Sequence, residues 1–130
     1  MENFDRNLAK VSLETARMCV KKDELLEAYI NYTIAFSNAD IYSDKVFILK
    51  EIINFSEEKY HLDMPSIEKL FDDLFEIEEN NADALVLLLK YFKKNNDDRV
   101  KELALEIHIK DYDGKIKLTQ EQYEVVYGGS

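Results

Sequence analysis

The sequence predicts a mainly α protein: antiparallel helical hairpins in series, followed by a small β-hairpin near the C-terminus. Three observations carry that expectation. The only proline is Pro65, and all three glycines (Gly114, Gly128 and Gly129) come late in the chain, so the usual helix breakers are almost absent before residue 114. Apolar residues recur at three- to four-residue steps, the period of one helical face. Polar clusters rich in Asp and Asn then cut that pattern into segments of similar length.

Leu8, Val11, Ala16, Cys19 and Val20 mark the apolar face of a first helix. It breaks at Lys21-Lys22-Asp23, where Asp23 is suited to cap the next helix. Leu25, Ala28, Tyr29, Tyr32, Ala35 and Phe36 form the second face, closed by Asn38-Ala39-Asp40. Ser43 is the expected N-cap of a third helix that buries Val46, Leu49, Ile52 and Ile53. A longer connection runs from Ser56 to Met64, and Pro65 suits the first turn of a fourth helix carrying Ile67, Leu70, Phe71, Leu74 and Ile77. Asn80-Asn81 ends it. A fifth helix is expected from about Asp83 to Lys94, with Leu85, Leu88, Leu89 and Phe92 inside. After Asn95-Asn96-Asp97 a sixth begins near Asp98, with Val100, Leu103 and Ala104.

Beyond that point the period changes. Leu103, Leu105, Ile107 and Ile109 alternate, Asp113-Gly114 follows, and Ile116 and Leu118 alternate again. An Asp-Gly pair between alternating runs is a strong hairpin signal, so a β-hairpin is expected near Ile107–Thr119. Thr119 would cap a final turn through Gln122. The division expected is one helical domain over residues 1–119, then a short segment over 120–130 ending in a flexible or non-native Gly128-Gly129-Ser130 tail.

Seventeen basic against twenty-seven acidic residues give a formal charge of −10. That balance disfavours direct binding to nucleic acid or anionic lipid, and favours basic partners; it also serves simply to keep a small domain soluble. A single cysteine, Cys19, permits no internal disulfide. No apolar run approaches the roughly 20 residues of a membrane helix, and the opening residues do not resemble a signal peptide, so the cytoplasm is the expected compartment.

Chemistry-bearing patterns are sparse, and the expectation is that the chain is not an enzyme. Cys19 falls on the apolar face of its helix, His61 and His108 lack metal-pair spacing, and no glycine-rich loop is placed to cradle phosphate. Asp111-Tyr112-Asp113-Gly114-Lys115-Ile116 resembles the middle of an EF-hand loop. Its outer ligand positions fall on Ile109 and Gln120, which favours the hairpin over a calcium site. No metal or cofactor is expected. Glu68, Asp72, Asp73, Glu76 and Glu79 cluster along the fourth helix as an acidic face, either solvated or turned toward a basic partner.

The run Glu78-Glu79-Asn80-Asn81-Ala82-Asp83-Ala84, followed by Leu85, Leu88 and Phe92 and then Asn96-Asp97-Asp98, resembles a tetratricopeptide repeat. Ala28, Tyr32 and Ala35 align with Ile67, Phe71 and Leu74, and with Val100, Ala104 and Ile107, in the second helices of three pairs. The resemblance spans roughly residues 7–110, with one good repeat and two degenerate ones. Lys50 and Leu89 stand where that family prefers Gly or Ala, and Glu79 where it prefers proline. The resemblance implies three hairpins stacked as a right-handed superhelix whose first helices line a groove. On matching positions that groove would present Lys10, Leu13, Arg17 and Lys21, then Asp44, Phe47, Glu51 and Asn54, then Val86, Lys90, Lys93 and Lys94. It implies a partner that is a peptide or another protein, with the chain serving as adaptor, small chaperone or inhibitor. An alternative is an immunity or anti-defence protein that sets its acidic face against a basic enzyme site. Self-association through the hairpin edge is a further expectation to be tested.

Overall fold

In a computed structural model of the protein, the backbone is described over residues 2–128 and side chains over residues 8–128. Among the described residues there are seven helices and no strand: α1 (Glu2–Lys21), α2 (Leu25–Asn38), α3 (Tyr42–Glu58), α4 (Met64–Ile77), α5 (Ala82–Lys94), α6 (Val100–Tyr112) and α7 (Gln120–Tyr127). The chain forms two compact units, Met1–Leu70 and Phe71–Ser130, with the division falling inside α4.

In the first unit α1 and α2 make the most extensive helix contact in the protein. Small residues explain it. Ala9, Ser12 and Ala16 are buried on α1, and Ala28 and Ala35 on α2, so the two backbones can approach closely. The buried face of α1 is therefore rotated from the one expected: Ser12 is inside, whereas Val11 is exposed and Cys19 only half-buried. A search for large apolar side chains passes over the small ones that mark a close contact. On α3, Val46, Leu49, Ile52 and Ile53 are buried as expected, joined by Ile48 and Phe55. Phe55 packs against Tyr32 at 5.3 Å and Tyr60 at 5.8 Å between ring centroids, which fixes the start of the connection to α4. The hydroxyl of buried Ser56 accepts the Leu62 amide at 2.9 Å, and Asp63 accepts the Ser66 amide at the start of α4, where Pro65 occupies the first turn.

In the second unit α5 is central. Ala84, Leu85, Val86, Leu87, Leu89, Tyr91 and Phe92 are all buried, and both α6 and α7 pack on it. A helix that is apolar nearly all round is one covered from more than one side. Asn81 caps it by accepting the Ala84 amide at 3.0 Å.

The expected β-hairpin does not form. Helix α6 runs without interruption to Tyr112. Leu103 and Ile107 turn inward while Leu105 and Ile109 are exposed. Each pair is spaced i, i+4, so an apparent strand alternation is in fact two faces of one helix. Asp113-Gly114 is the end of that helix rather than a hairpin turn. Gly114 takes φ +74°, the Lys115 amide donates to the Lys110 carbonyl, and the Gly114 amide to Asp111. This is a Schellman terminus.

Two other helices end the same way without glycine. Asp23 (φ +62°) ends α1, with the Glu24 amide on the Cys19 carbonyl and the Asp23 amide on Val20. Asn96 (φ +52°) ends α5, with the Asp97 amide on Phe92 and the Asn96 amide on Lys93. Asp23 thus stops α1 instead of capping α2, whose N-cap is Glu24 without a side-chain bond. Ser43 likewise lies inside α3, which starts after Ile41 with no side-chain cap. Thr119 does cap the last helix: it forms a full capping box with Gln122, and the helix extends to Tyr127. Gly129 and Ser130 of the expected tail lie outside the described residues.

Candidate interaction site

The first unit contains a cavity of about 600 Å³. Helix α1 supplies Ala9, Lys10, Leu13, Glu14 and Arg17, at the one- and four-residue steps of a single helical stripe. The α2–α3 connection supplies Ala39, Asp40 and Ile41, and α3 supplies Asp44, Phe47 and Ile48. Helix α1 packs on α2 and α2 on α3, and the opening lies between α1 and α3. The volume falls in the range of roughly 300–1,000 Å³ typical of ligand pockets.

Its apolar content is unusual in one respect: Ile41 and Phe47 are 50% and 57% exposed, although large and apolar. Beside a concave surface, such residues are available to grip an incoming side chain.

Beside the cavity a charged knot ties three helices together. Arg17 Nε and Nη2 donate to the two carboxylate oxygens of Glu51 at 2.9 and 2.7 Å, and the Tyr32 hydroxyl donates to Glu51 Oε2 at 2.9 Å. The paired bonds from Arg17 hold the Glu51 carboxyl below the usual range; burial opposes this and the Tyr32 bond assists it. Burial, then the neighbouring carboxylate, pushes the Tyr32 hydroxyl strongly up. Arg17 is raised through the same pairing. One guanidinium edge, Nε and Nη2, is thereby engaged by Glu51.

Of the residues expected to line a groove, Lys10, Leu13, Arg17, Asp44 and Phe47 meet at this cavity. Glu51 sits beside it as the Arg17 acceptor, and Lys21 and Asn54 are exposed elsewhere on α1 and α3. The remaining four belong to α5 in the second unit. Val86 is 3% exposed and is part of that unit's core, so its side chain offers nothing to a partner. Lys93 Nζ donates to the Val125 carbonyl and holds α7, while Lys90 and Lys94 are exposed.

Sequence reasoning missed Ala9, Glu14, Ala39, Asp40, Ile41 and Ile48, which also line the cavity. One signal for Glu14 was present, since it lies one turn from Lys10 on the same stripe. On α4, Asp72, Asp73 and Glu76 are exposed and Glu68 half-buried, away from the buried Ile67, Phe71 and Leu74. Glu79 lies beyond the end of that helix.

The Asp111–Gly114 segment is occupied by other work. The Asp111 carboxylate accepts the Tyr127 hydroxyl at 3.2 Å, and that hydroxyl lies 2.9 Å from His108 Nδ1. Among the described residues no group of three or more His, Cys, Asp or Glu is arranged to hold a metal ion, and no helix is long and apolar enough to cross a membrane. Comparison with protein-family models, with curated proteins and with solved structures gave no match.

Proposed function

We propose that the chain is a non-catalytic protein-interaction module built on tetratricopeptide-like helical hairpins, stacked as a right-handed superhelix, and that it receives a peptide or partner segment in the α1–α3 cavity. The observation that carries this reading is the cavity of about 600 Å³ with Ile41 and Phe47 left in water at its edge. Small residues at the α1–α2 contact support the hairpin part of the reading, because close helix pairing is what such repeats require. An adaptor, a small chaperone and an occluding inhibitor all use a surface of this kind.

Selection of a displayed random-peptide library on the immobilised protein tests the proposal. Enriched peptides should lose binding to Phe47→Asp while binding to Lys90→Ala is retained. Enriched peptides that bind Phe47→Asp as well as the parent would refute the site.

A second reading, an acidic inhibitor of a basic enzyme site, draws on exposed Asp72, Asp73 and Glu76 of α4. Under it, the triple charge reversal on α4 would abolish partner binding and Phe47→Asp would not.

A further inference from the structure

The partner class follows from the charges around the cavity. Its lining holds two cations, Lys10 and Arg17, and three carboxylates, Glu14, Asp40 and Asp44. Taken alone, Lys10 and Arg17 suggest an acidic ligand. The charge balance of the lining opposes that option. Arg17 already gives two donors to the Glu51 carboxylate, and Lys10 stands one helical turn from Glu14. With Glu51 included, and with Asp40 engaged in an interaction of its own, Glu14, Asp44 and Glu51 stand against the two cations. An anion entering here would share Arg17 with Glu51 and would face Glu14 and Asp44. A cation flanking an apolar side chain meets the opposite situation: carboxylates in the lining and Leu13, Ile48 and Phe47 for the apolar part.

Resting on the reading that this cavity is the binding site, we infer that its occupant is a cationic apolar peptide segment, a large aliphatic or aromatic side chain with Lys or Arg beside it. The apolar group fills the space between α1 and α3, where little water-exposed polar surface must be stripped. The neighbouring cations face Glu14 and Asp44. The formal charge of −10 on the whole chain draws such a segment in from a distance and repels acidic competitors. Steering by that charge is not selective for the cavity, so the test separates the two effects.

Fluorescence anisotropy with three fluorescein-labelled peptides provides it: Gly-Lys-Leu-Phe-Lys-Leu-Lys-Gly, the same peptide with Gln for every Lys, and the same with Glu for every Lys. The Lys peptide is expected to bind most tightly and the Glu peptide least. Its affinity should fall about two- to five-fold in each of Glu14→Gln and Asp44→Asn, and with added salt. It should fall at least ten-fold in Phe47→Ser, with circular dichroism spectra and melting unchanged in all three variants.

Lys-peptide binding that is indifferent to Phe47→Ser would be attraction to the acidic surface alone, and overturns the inference. Gln or Glu peptides that bind as tightly as the Lys peptide, with the same dependence on Phe47, would leave the cavity as the site but overturn its cationic preference. Binding of none of the three peptides overturns both.

Discussion

Replacing Glu51 with alanine removes the acceptor on α3 that α1 and α2 both use, and the structure says which of the two feels it more. The Tyr32 hydroxyl belongs to a residue only 4% exposed, so losing its acceptor leaves a buried donor without a partner, at about 1–3 kcal/mol. The Arg17 side chain is 45% exposed and regains water, so its lost ion pair costs about 0.2–1 kcal/mol. Glu51→Ala should therefore destabilise by about 2–3 kcal/mol, most of it through Tyr32. Double-mutant cycles with Tyr32→Phe and Arg17→Ala, read by urea unfolding, separate the two shares. The Tyr32–Glu51 coupling should exceed the Arg17–Glu51 coupling, although only the second is an ion pair. A larger coupling to Arg17, or a cost below about 1 kcal/mol for Glu51→Ala, would refute the argument that burial decides.

Acid and alkali report on the same knot with opposite signs. The Glu51 carboxyl is lowered in the folded protein from its ordinary 4.5, so the unfolded chain binds more protons below that pH. Its contribution is present above about 4.5 and is lost as pH falls through the folded value; Glu51→Gln should flatten that acid limb. Tyr32 is raised from 10.0, so its contribution is present below 10 and is lost as pH rises toward the folded value; Tyr32→Phe should flatten the alkaline limb.

Other expectations concern the helix ends and the second core. Gly114→Ala should cost about 1–2 kcal/mol from the left-handed backbone alone, because nothing lies within 4 Å of the added methyl; a neutral result in thermal melts would contradict this. Asn96→Gly should instead raise the melting temperature, since it relieves the same conformation at φ +52°. Leu89→Ala, at a fully buried site in α5, should destabilise by about 2–5 kcal/mol in urea titrations. Thr119→Ala breaks the capping box and should cost about 1 kcal/mol, with faster amide exchange confined to α7.

The helices were legible because the three- to four-residue period is strong: α3 buries every residue that its spacing marks, and α2 and α5 bury most, with Leu25, Tyr29 and Leu88 half-buried. What misled was ambiguity between patterns that share residues. Four alternating apolar positions from Leu103 to Ile109 satisfy a strand and two helical faces alike, and only the rest of the unit decides between them. Asp23 reads as the start of a helix, yet it stops one, as Asn96 does in the break expected there, because a short polar side chain tolerates the left-handed region. For the cavity, the positions matched to the repeat resemblance included Lys10, Leu13, Arg17, Asp44 and Phe47 of its lining. That resemblance could not show that Arg17 pairs with Glu51, a residue 34 positions away. Val86 failed for a related reason: one face of α5 was assumed open, whereas α6 and α7 both cover that helix.

Helix α7 has no buried residue of its own. It is held by Lys93 on the Val125 carbonyl, by Gln122 on Asp83 and by Tyr127 with His108 and Asp111. An element fastened by polar bonds at its rim, with little apolar area beneath, opens at a smaller free energy than the body it sits on. The second unit therefore carries a detachable closing piece: when it lifts, part of the apolar circumference of α5 meets water. Anything fused to this end of the chain pulls first on that clasp, so attachments made elsewhere leave the α5 core better protected from aggregation.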